Sequence, residues 1–479
     1  MPSTTSQLDP HYTPRHRPNC AAEQHSLTLI LDFGIVSRVT ERKPGRPTRL
    51  RLLWRWLQPG LGVKRWLAML VVAIALVGLG LATGLLSLYR IEPNPLHPQL
   101  LAAIPAGVVA GLLVTIGLTS ALMAMFRLNN SLLSPYVRAG RPVVDVVAAH
   151  RKLGRGPKVV AIGGGTGLST LLRGLKKHTA NLTAIVTMAD DGGSSGRLRR
   201  SLGLPPPGDL RACLAALSND EDLLTQLFQY RFLEGEELDG HSFGNLFIAA
   251  LSGVTGSFDR GILEAGRVLS IRGRVLPSTL ANIALVADKT PALSVQAIRV
   301  QGESRIPEVA GKIRRIFLEP PDPPAFPEAI HALLNADMIV IGPGSLYTSV
   351  LPNLLVPDIA NAVRASRAFR VYVCNVATQQ GETDRYDCLD HWTALSEHGG
   401  EGLVDTVVAN DCTDLPLVGA SVAVLASANG LLGVPTYSAD LVDHQRPWRH
   451  DSDQLANSLI ALLEEQTGPL EFDRAESPR

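Results

Sequence analysis

Two uncharged stretches constrain this chain more than any other feature of it. Trp66–Tyr89 runs for 24 residues and Leu100–Phe126 for 27 residues without an Asp, Glu, Lys or Arg. A helix crossing a hydrocarbon layer about 30 Å thick needs roughly 20 apolar residues, so each stretch is long enough to span one. Core helices seldom run so far without one polar face. Trp66 and Tyr89 stand where interfacial aromatics belong, and the first stretch begins too far into the chain for a cleaved signal peptide. Arg49, Arg51, Arg55, Lys64 and Arg65 precede the pair, and Arg127, Arg138, Arg141, Arg151 and Lys152 follow it. The connecting segment, Arg90–Gln99, holds one Arg, one Glu and three prolines. This asymmetry predicts a multi-pass protein of the inner (plasma) membrane with both termini and the main domain cytoplasmic. Neither stretch contains an ionisable acid or base to serve transport, so the hairpin reads as an anchor. Gly80-x-x-x-Gly84 and Gly107-x-x-x-Gly111 suit close helix contact, within the hairpin or between two copies in a homodimer.

The rest of the chain divides around that anchor. Residues 1–60 are rich in Pro, Arg, Thr and Ser, with one apolar run at Leu27–Val36, and read as a disordered cytosolic leader. The anchor occupies 61–130, a linker 131–156, an α/β domain 157–468 and a polar tail 469–479. Net charge is +1, which gives nucleic acid no general attraction. Cys20, Cys213, Cys374, Cys388 and Cys412 are scattered, with no CxxC pair and no histidine cluster at metal spacing. That fits a reducing compartment and argues against a disulfide frame or a structural zinc. Cys213 and Cys374 read as buried, inert thiols.

From Lys158 the texture becomes short apolar runs that end in Gly, Asp or Asn and lead into helical patterns. Lys158–Ile162, Leu182–Met188, Asp337–Ile341, Arg370–Cys374 and Leu403–Ala409 are of this kind. Runs apolar on both faces are what central parallel strands require. The fold expected is α/β: a doubly wound, mostly parallel, Rossmann-like sheet behind a two-helix transmembrane hairpin. Leu269–Leu276 and Leu293–Val300 suggest an antiparallel addition at its edge. Glu319–Pro327 is expected to be an internal proline-rich loop.

Ligands of open α/β sheets bind beyond the carboxyl ends of the strands, and the polar motifs gather there. Gly163-Gly164-Gly165-Thr166-Gly167-Leu168-Ser169 opens a helix whose free amides suit an anion. It is neither a complete dinucleotide fingerprint, since Leu168 takes the third glycine position, nor a P-loop. Asp190-Asp191-Gly192-Gly193-Ser194-Ser195-Gly196-Arg197 offers acids for a ribose or for Mg²⁺, hydroxyls, and an arginine fork for phosphate. A blander reading makes Asp191 a helix cap. Pro205–Arg211 is a rigid turn into a helix that Asp209 would cap; a metal role for Asp209 stays open beside that one. In Gly240-His241-Ser242-Phe243-Gly244-Asn245, His241 and Asn245 lie four apart, as on one helix face. Gly342-Pro343-Gly344-Ser345-Leu346-Tyr347 is a second glycine turn with hydroxyls, and Asn375–Gln379 follows a strand. Tyr347 is expected to pack rather than stack on a ligand. No Ser/His/Asp or Cys/His arrangement supports acyl transfer.

In order, V-V-A-I-G-G-G-T-G-L-S, A-D-D-G-G-S-S-G-R-L-R, P-P-G-D-L-R, G-H-S-F-G-N-L, G-R-V-L-P, I-G-P-G-S-L-Y-T-S-V-L-P-N-L-L-V and C-N-V-A-T-Q-Q-G-E-T-D resemble the YvcK/CofD-like family. The resemblance covers roughly Lys158 to Leu463. Its transferase branch implies a Mg²⁺-dependent enzyme moving phospholactate from a guanosine diphosphate donor, with Asp190 and Asp209 as metal ligands. Its gluconeogenesis-factor branch, which the uninterrupted second and sixth runs resemble more, implies a regulator of cell shape and envelope synthesis. That branch implies a UDP-sugar ligand such as UDP-N-acetylglucosamine and no catalytic residues. By the resemblance, the nucleotide would lie across Gly164–Thr166, Asp190–Ser195 and Gly344–Ser345; the motifs themselves add Arg197, Asn245 and Asn375 as nucleotide-binding candidates. The anchor and leader set this chain apart from soluble members.

Overall fold

The computed structural model describes residues 64–89, 105–133, 152–218, 223–235, 238–291, 296–413, 421–426 and 433–468. The leader, the Arg90–Gln99 connector, most of the linker and the tail lie outside the described residues. The chain forms two compact units, Met1–Val137 and Arg138–Arg479.

In the first unit, α1 (Lys64–Leu88) and α2 (Ala106–Leu133) pack as a pair. Both are long and apolar enough to cross a membrane. Small residues make the seam: Ala73, Gly80 and Thr83 are buried on α1, whereas Val71, Ile74, Leu81 and Leu85 face outward. Large apolar groups outside and small ones inside is the arrangement lipid favours. A side chain on Gly80 would sit 2.9 Å from Val114 Cγ2, and one on Gly117 would sit 2.6 Å from Val77 Cγ2. The Gly80/Gly84 pair therefore serves the hairpin itself. Gly107 and Gly111 have open space at their Cβ positions, and Gly117 takes the part expected of them. Arg127, late in α2, lies over the Trp66 ring at the start of α1, so the pair is antiparallel.

The second unit is built on a seven-stranded parallel sheet: β1 (Val159–Gly163), β2 (Leu182–Val186), β3 (Arg274–Pro277), β7 (Met338–Ile341), β8 (Phe369–Val373), β9 (Thr406–Asn410) and β10 (Thr436–Ala439). A smaller sheet holds β4 (Ala284–Thr290), β5 (Ile298–Gln301) and β6 (Lys312–Glu319). Every residue of β1, β2, β7 and β9 is buried, because helices cover both faces of the sheet. Helix α3 (Gly165–Leu175) shows how: Leu168, Leu171, Leu172 and Leu175 recur at helical spacing and are all fully buried. It packs against α13 (Ser452–Thr467), where Gly174 lies so close to the Ser452 carbonyl that no side chain would fit.

The strand order is β10-β9-β8-β7-β1-β2-β3. From β1 the chain builds outward through β2 and β3, then returns to β7 on the other flank of β1 and builds outward again. The reversal lies between β1 and β7, and there the loops after two adjacent strands diverge and leave a crevice. One expectation is corrected. The edge at β3 is parallel to β2 (Thr183 opposite Arg274), and Leu269 belongs to the end of the preceding helix. The antiparallel pairing falls instead in the separate sheet, where β4 pairs with β5 and β6. The apolar content of these runs does not distinguish one sheet from two. Glu319–Pro327 is indeed a loop, ending where α9 (Pro327–Leu334) begins.

Candidate functional site

Two glycine turns meet at the reversal point. The first carries β1 into α3: Gly164 is extended, Gly165 takes φ +59°, and the helix starts at once. A side chain on Gly167 would lie 2.6 Å from the Pro343 carbonyl and 2.7 Å from the Gly344 backbone. That glycine lets the turn after β1 touch the turn after β7. Asn353, fully buried, fastens the two by donating to the Gly163 carbonyl at 3.0 Å and to the Ser349 carbonyl at 2.8 Å. Asn375, after β8, clasps the second turn from the other side. Its Oδ1 accepts from the Gly344 amide at 3.2 Å, and its Nδ2 donates to the Gly344 carbonyl at 2.8 Å.

A cavity of about 660 Å³ opens over these turns. Gly164, Thr166, Gly167, Gly344, Ser345 and Asn375 line it, with the 376–380 loop and Trp448–His450 on the far wall. Ser345 is fixed by Glu382, to which its hydroxyl donates, and lies 2.5 Å from the Thr348 hydroxyl. Burial pushes the Glu382 carboxyl up, while Ser345, Thr348 and Lys289 oppose the shift. Lys289, fully buried, donates to the carbonyls of Ile306 and Gly381 at 2.7 and 2.8 Å and thereby holds the Glu382 loop.

The other bank of the crevice is acidic. A side chain on Gly164 would collide with the Asp209 carboxylate, and one on Gly208 would collide with Ser195 and lie 2.8 Å from Asp190 Oδ2. These two glycines seat the proline-rich turn against both acids. Burial, then the Asp190 charge, pushes Asp209 up to about 7, against the Gly165 amide and Arg211. Burial and the charges of Asp190, Asp209, Glu382 and Asp191 push Glu303 up to about 8. Burial also raises Asp190, although the Gly192 amide, at 2.9 Å, and Ser195 favour its charged form. Asp191 accepts from the Ser304 amide at 2.9 Å, tying this loop to the smaller sheet. Beneath lies a buried polar knot: His241 Nδ1 is 3.0 Å from the Ser194 hydroxyl, and Asn245 Nδ2 is 3.1 Å from it. Arg211 Nε is buried without a partner.

The structure thus gathers Gly164, Gly165, Thr166, Gly344, Ser345 and Asn375 around one crevice and sets Asp190 and Asp209 beside it. Asp191, Ser194, Ser195 and Asn245 surround the acids. Gly192 precedes the helix Gly193–Leu202 as its cap, with Gly193 at φ +44°. The Arg197 guanidinium lies beside Gly240 and its charge acts on His241; it is not among the residues lining the cavity. Three expectations are corrected. Asp191 is not a cap, because Gly192 occupies that position without a side-chain bond. Asp209 is not a cap either, since Pro207 precedes that helix and the Asp209 carboxylate turns to the Gly165 amide. His241 stands before its helix, capped by Ser242, and meets Asn245 only through Ser194.

Glu303, Glu382 and Asn353 were missed as site residues. Glu382 and Asn353 sit inside motifs whose other residues drew attention, whereas Glu303 arrives from the smaller sheet and carries no local signature. Tyr347 packs as expected, buried and 2.9 Å from the Tyr386 hydroxyl. Cys213 and Cys374 are buried; burial drives the Cys213 thiol upward, and the neighbouring Cys388 thiol, then burial, drives Cys374 upward. The structure also brings Cys412, Asp440 and His444 within metal-ligand reach of one another, a grouping that linear spacing conceals.

Comparison with known proteins agrees with this architecture. Residues 159–467 match the family model described as 2-phospho-L-lactate transferase CofD. The gluconeogenesis factor of Bacillus subtilis is 46% identical over 323 residues, covering 65% of this chain and 100% of its own. A relative from Nostoc sp. is 49% identical over 370 residues, covering 76% of this chain and 80% of its own, a larger share than the α/β unit supplies. Part of the N-terminal segment is therefore shared. A crystal structure of a UPF0052 family member from Bacillus halodurans superposes with a TM-score of 0.60 at 46% identity, covering 64% of this chain and 99% of that one.

Proposed function

The chain belongs to the CofD family, with a gluconeogenesis factor among its similar relatives, and on that premise we propose that it is a membrane-tethered regulator binding a nucleotide-activated sugar. The ligand class is a UDP-sugar such as UDP-N-acetylglucosamine. The physiological role is support of cell shape and envelope synthesis during growth on gluconeogenic carbon sources. One observation carries the reading: a crevice of about 660 Å³ stands at the reversal of strand order, over two glycine turns in contact. Its volume suits a nucleotide-sized ligand. The first turn brings the N-terminal, positive end of the α3 dipole to the crevice, where Thr166 and Gly167 line the cavity, an arrangement that suits a diphosphate. The hairpin would place this unit at the cytoplasmic face of the membrane, with Lys64, Arg65 and Arg127 on the cytoplasmic side. Cysteine labelling from either side of sealed vesicles tests that orientation.

A second reading is favoured by the acidic bank. Burial raises Asp209 and Glu303, the Asp190 charge raises both further, and a divalent cation would relieve that repulsion. The donor set is all oxygen, which fits Mg²⁺. Asp190 and Asp209 would hold it, and the ion would neutralise diphosphate charge in a transferase using a guanosine donor. Product analysis separates the two readings. The regulator returns UDP-sugar intact with or without Mg²⁺, and Asp190→Asn retains binding. Mg²⁺-dependent breakdown of a guanosine donor, abolished in Asp190→Asn, would establish the transferase.

A further inference from the structure

The far wall of the crevice holds groups that a nucleotide alone would not use. His450 is 7% exposed and lines both the crevice and an adjoining cavity of about 450 Å³. Neither of its ring nitrogens has a hydrogen-bond partner; the backbone of Cys374 and Leu441 lies near the ring but short of bonding geometry. Gln379 Oε1, on the loop after β8, is likewise buried without a partner. Each such atom carries a desolvation cost in a protein that never satisfies it. Trp448, two residues from His450, is 44% exposed and lines the same crevice.

The chemistry of these atoms selects among ligands. Burial pulls the His450 imidazole down to about 4, so near neutrality it carries one donor and one acceptor. Gln379 Oε1 accepts only, and a phosphate, which offers no proton, cannot satisfy it. A hydroxyl or an N-acetyl group can donate and accept. An indole face left open to a cavity suits the apolar C–H face of a sugar ring.

We propose that Trp448, His450 and Gln379 form a glycosyl-reading wall, which holds the uncharged, hydroxyl-bearing end of a nucleoside diphosphate sugar. This rests on the nucleotide-sugar reading of the same crevice and adds which wall distinguishes the sugar-bearing ligand from the bare nucleotide. Arg449, which lines both cavities, stands at the passage into the adjoining space, where a bulkier sugar substituent has room.

The test is calorimetric titration of the full chain in detergent micelles with UDP-N-acetylglucosamine and with UDP. Wild type is expected to prefer the sugar-bearing ligand about tenfold, the equivalent of about 1.4 kcal/mol. Trp448→Ala should reduce that preference to about threefold or less, as expected when a ring contact of this class is lost. Trp448→Phe should restore most of it, and Gln379→Leu should lower it independently. A preference retained in both Trp448→Ala and Gln379→Leu would overturn the wall. So would equal affinity of wild type for the two ligands, which would leave the nucleotide reading intact. Wild type that binds neither ligand would remove the nucleotide-sugar reading, and the wall with it.

Discussion

On one bank of the crevice stand Asp190, Asp209 and Glu303, with two carboxyls pushed up to about 7 and about 8. On the other stand Ser345, Asn375 and the 376–380 loop, lined by hydroxyls, amides and backbone. Both banks rest on glycines that admit no side chain, so both are close-built; they differ in charge. A diphosphate is repelled by the first bank unless a cation intervenes, and is accepted by the second without one. On the proposed regulator reading the phosphates would rest on the second bank, whereas on the transferase reading Asp190 and Asp209 would hold a cation that offsets their charge.

The largest expected effect comes from separating the banks where they touch. Gly167→Val would drive a branched side chain into the Pro343 carbonyl and the Gly344 backbone. Overpacking of this kind costs about 1–3 kcal/mol, and a crevice forced open at that cost should lose about a hundredfold in nucleotide affinity. Calorimetry and thermal melting together measure both consequences. Unaltered binding would show that contact between the two turns does not shape the site.

The acidic bank has a signature in stability. Raised carboxylate pKa values mean that the folded state holds protons the unfolded chain releases. The associated stability is complete below about pH 4 and is lost as pH rises through about 7 and 8. Melting temperature should therefore fall between about pH 5 and pH 8 from these groups, and Asp209→Asn should flatten the profile and raise the value at about pH 8 by a few degrees. A profile of unchanged slope in that variant would contradict the assignment. Added Mg²⁺ should stabilise the protein more at about pH 8 than at about pH 5, because protonated carboxyls bind cations poorly. Equal stabilisation at both values would remove the acidic bank as a cation site.

A smaller effect is expected beneath that bank. Ser194→Ala removes the hydroxyl shared by His241 and Asn245. The loss should be about 1–2 kcal/mol, with little change in affinity, and chemical denaturation measures it. A loss of binding larger than the loss of stability would move Ser194 into the ligand's contacts.

Much of this was legible in the sequence because local chemistry and location coincide. The uncharged stretches announced the two helices, and apolar runs ending in glycine, aspartate or asparagine announced β1, β2, β7, β8 and β9. The glycine turns at 163–167 and 342–345 proved to be neighbours because adjacent parallel strands carry their loops to the same edge. What stayed hidden depends on long-range packing. Glu303 joins Asp190 only because the smaller sheet folds over the β2 loop, and Asp209 turns from its own helix to the amide of Gly165. His450 reaches the crevice from close before the last helix, and no motif marks its unpartnered ring. Of the antiparallel strands only β5 overlaps an expected run, Leu293–Val300; β4 and β6 carry charged residues and give no clear strand signal.

The central claim is that the neutral bank holds a nucleotide sugar without a metal. Its most direct test is titration of the full chain in detergent with UDP-N-acetylglucosamine, first in EDTA and then in Mg²⁺, with GDP and NAD alongside. Selective binding of the UDP-sugar in EDTA, little altered by Mg²⁺, is expected. Binding that prefers GDP and appears only with Mg²⁺ would contradict it and place the diphosphate on the acidic bank.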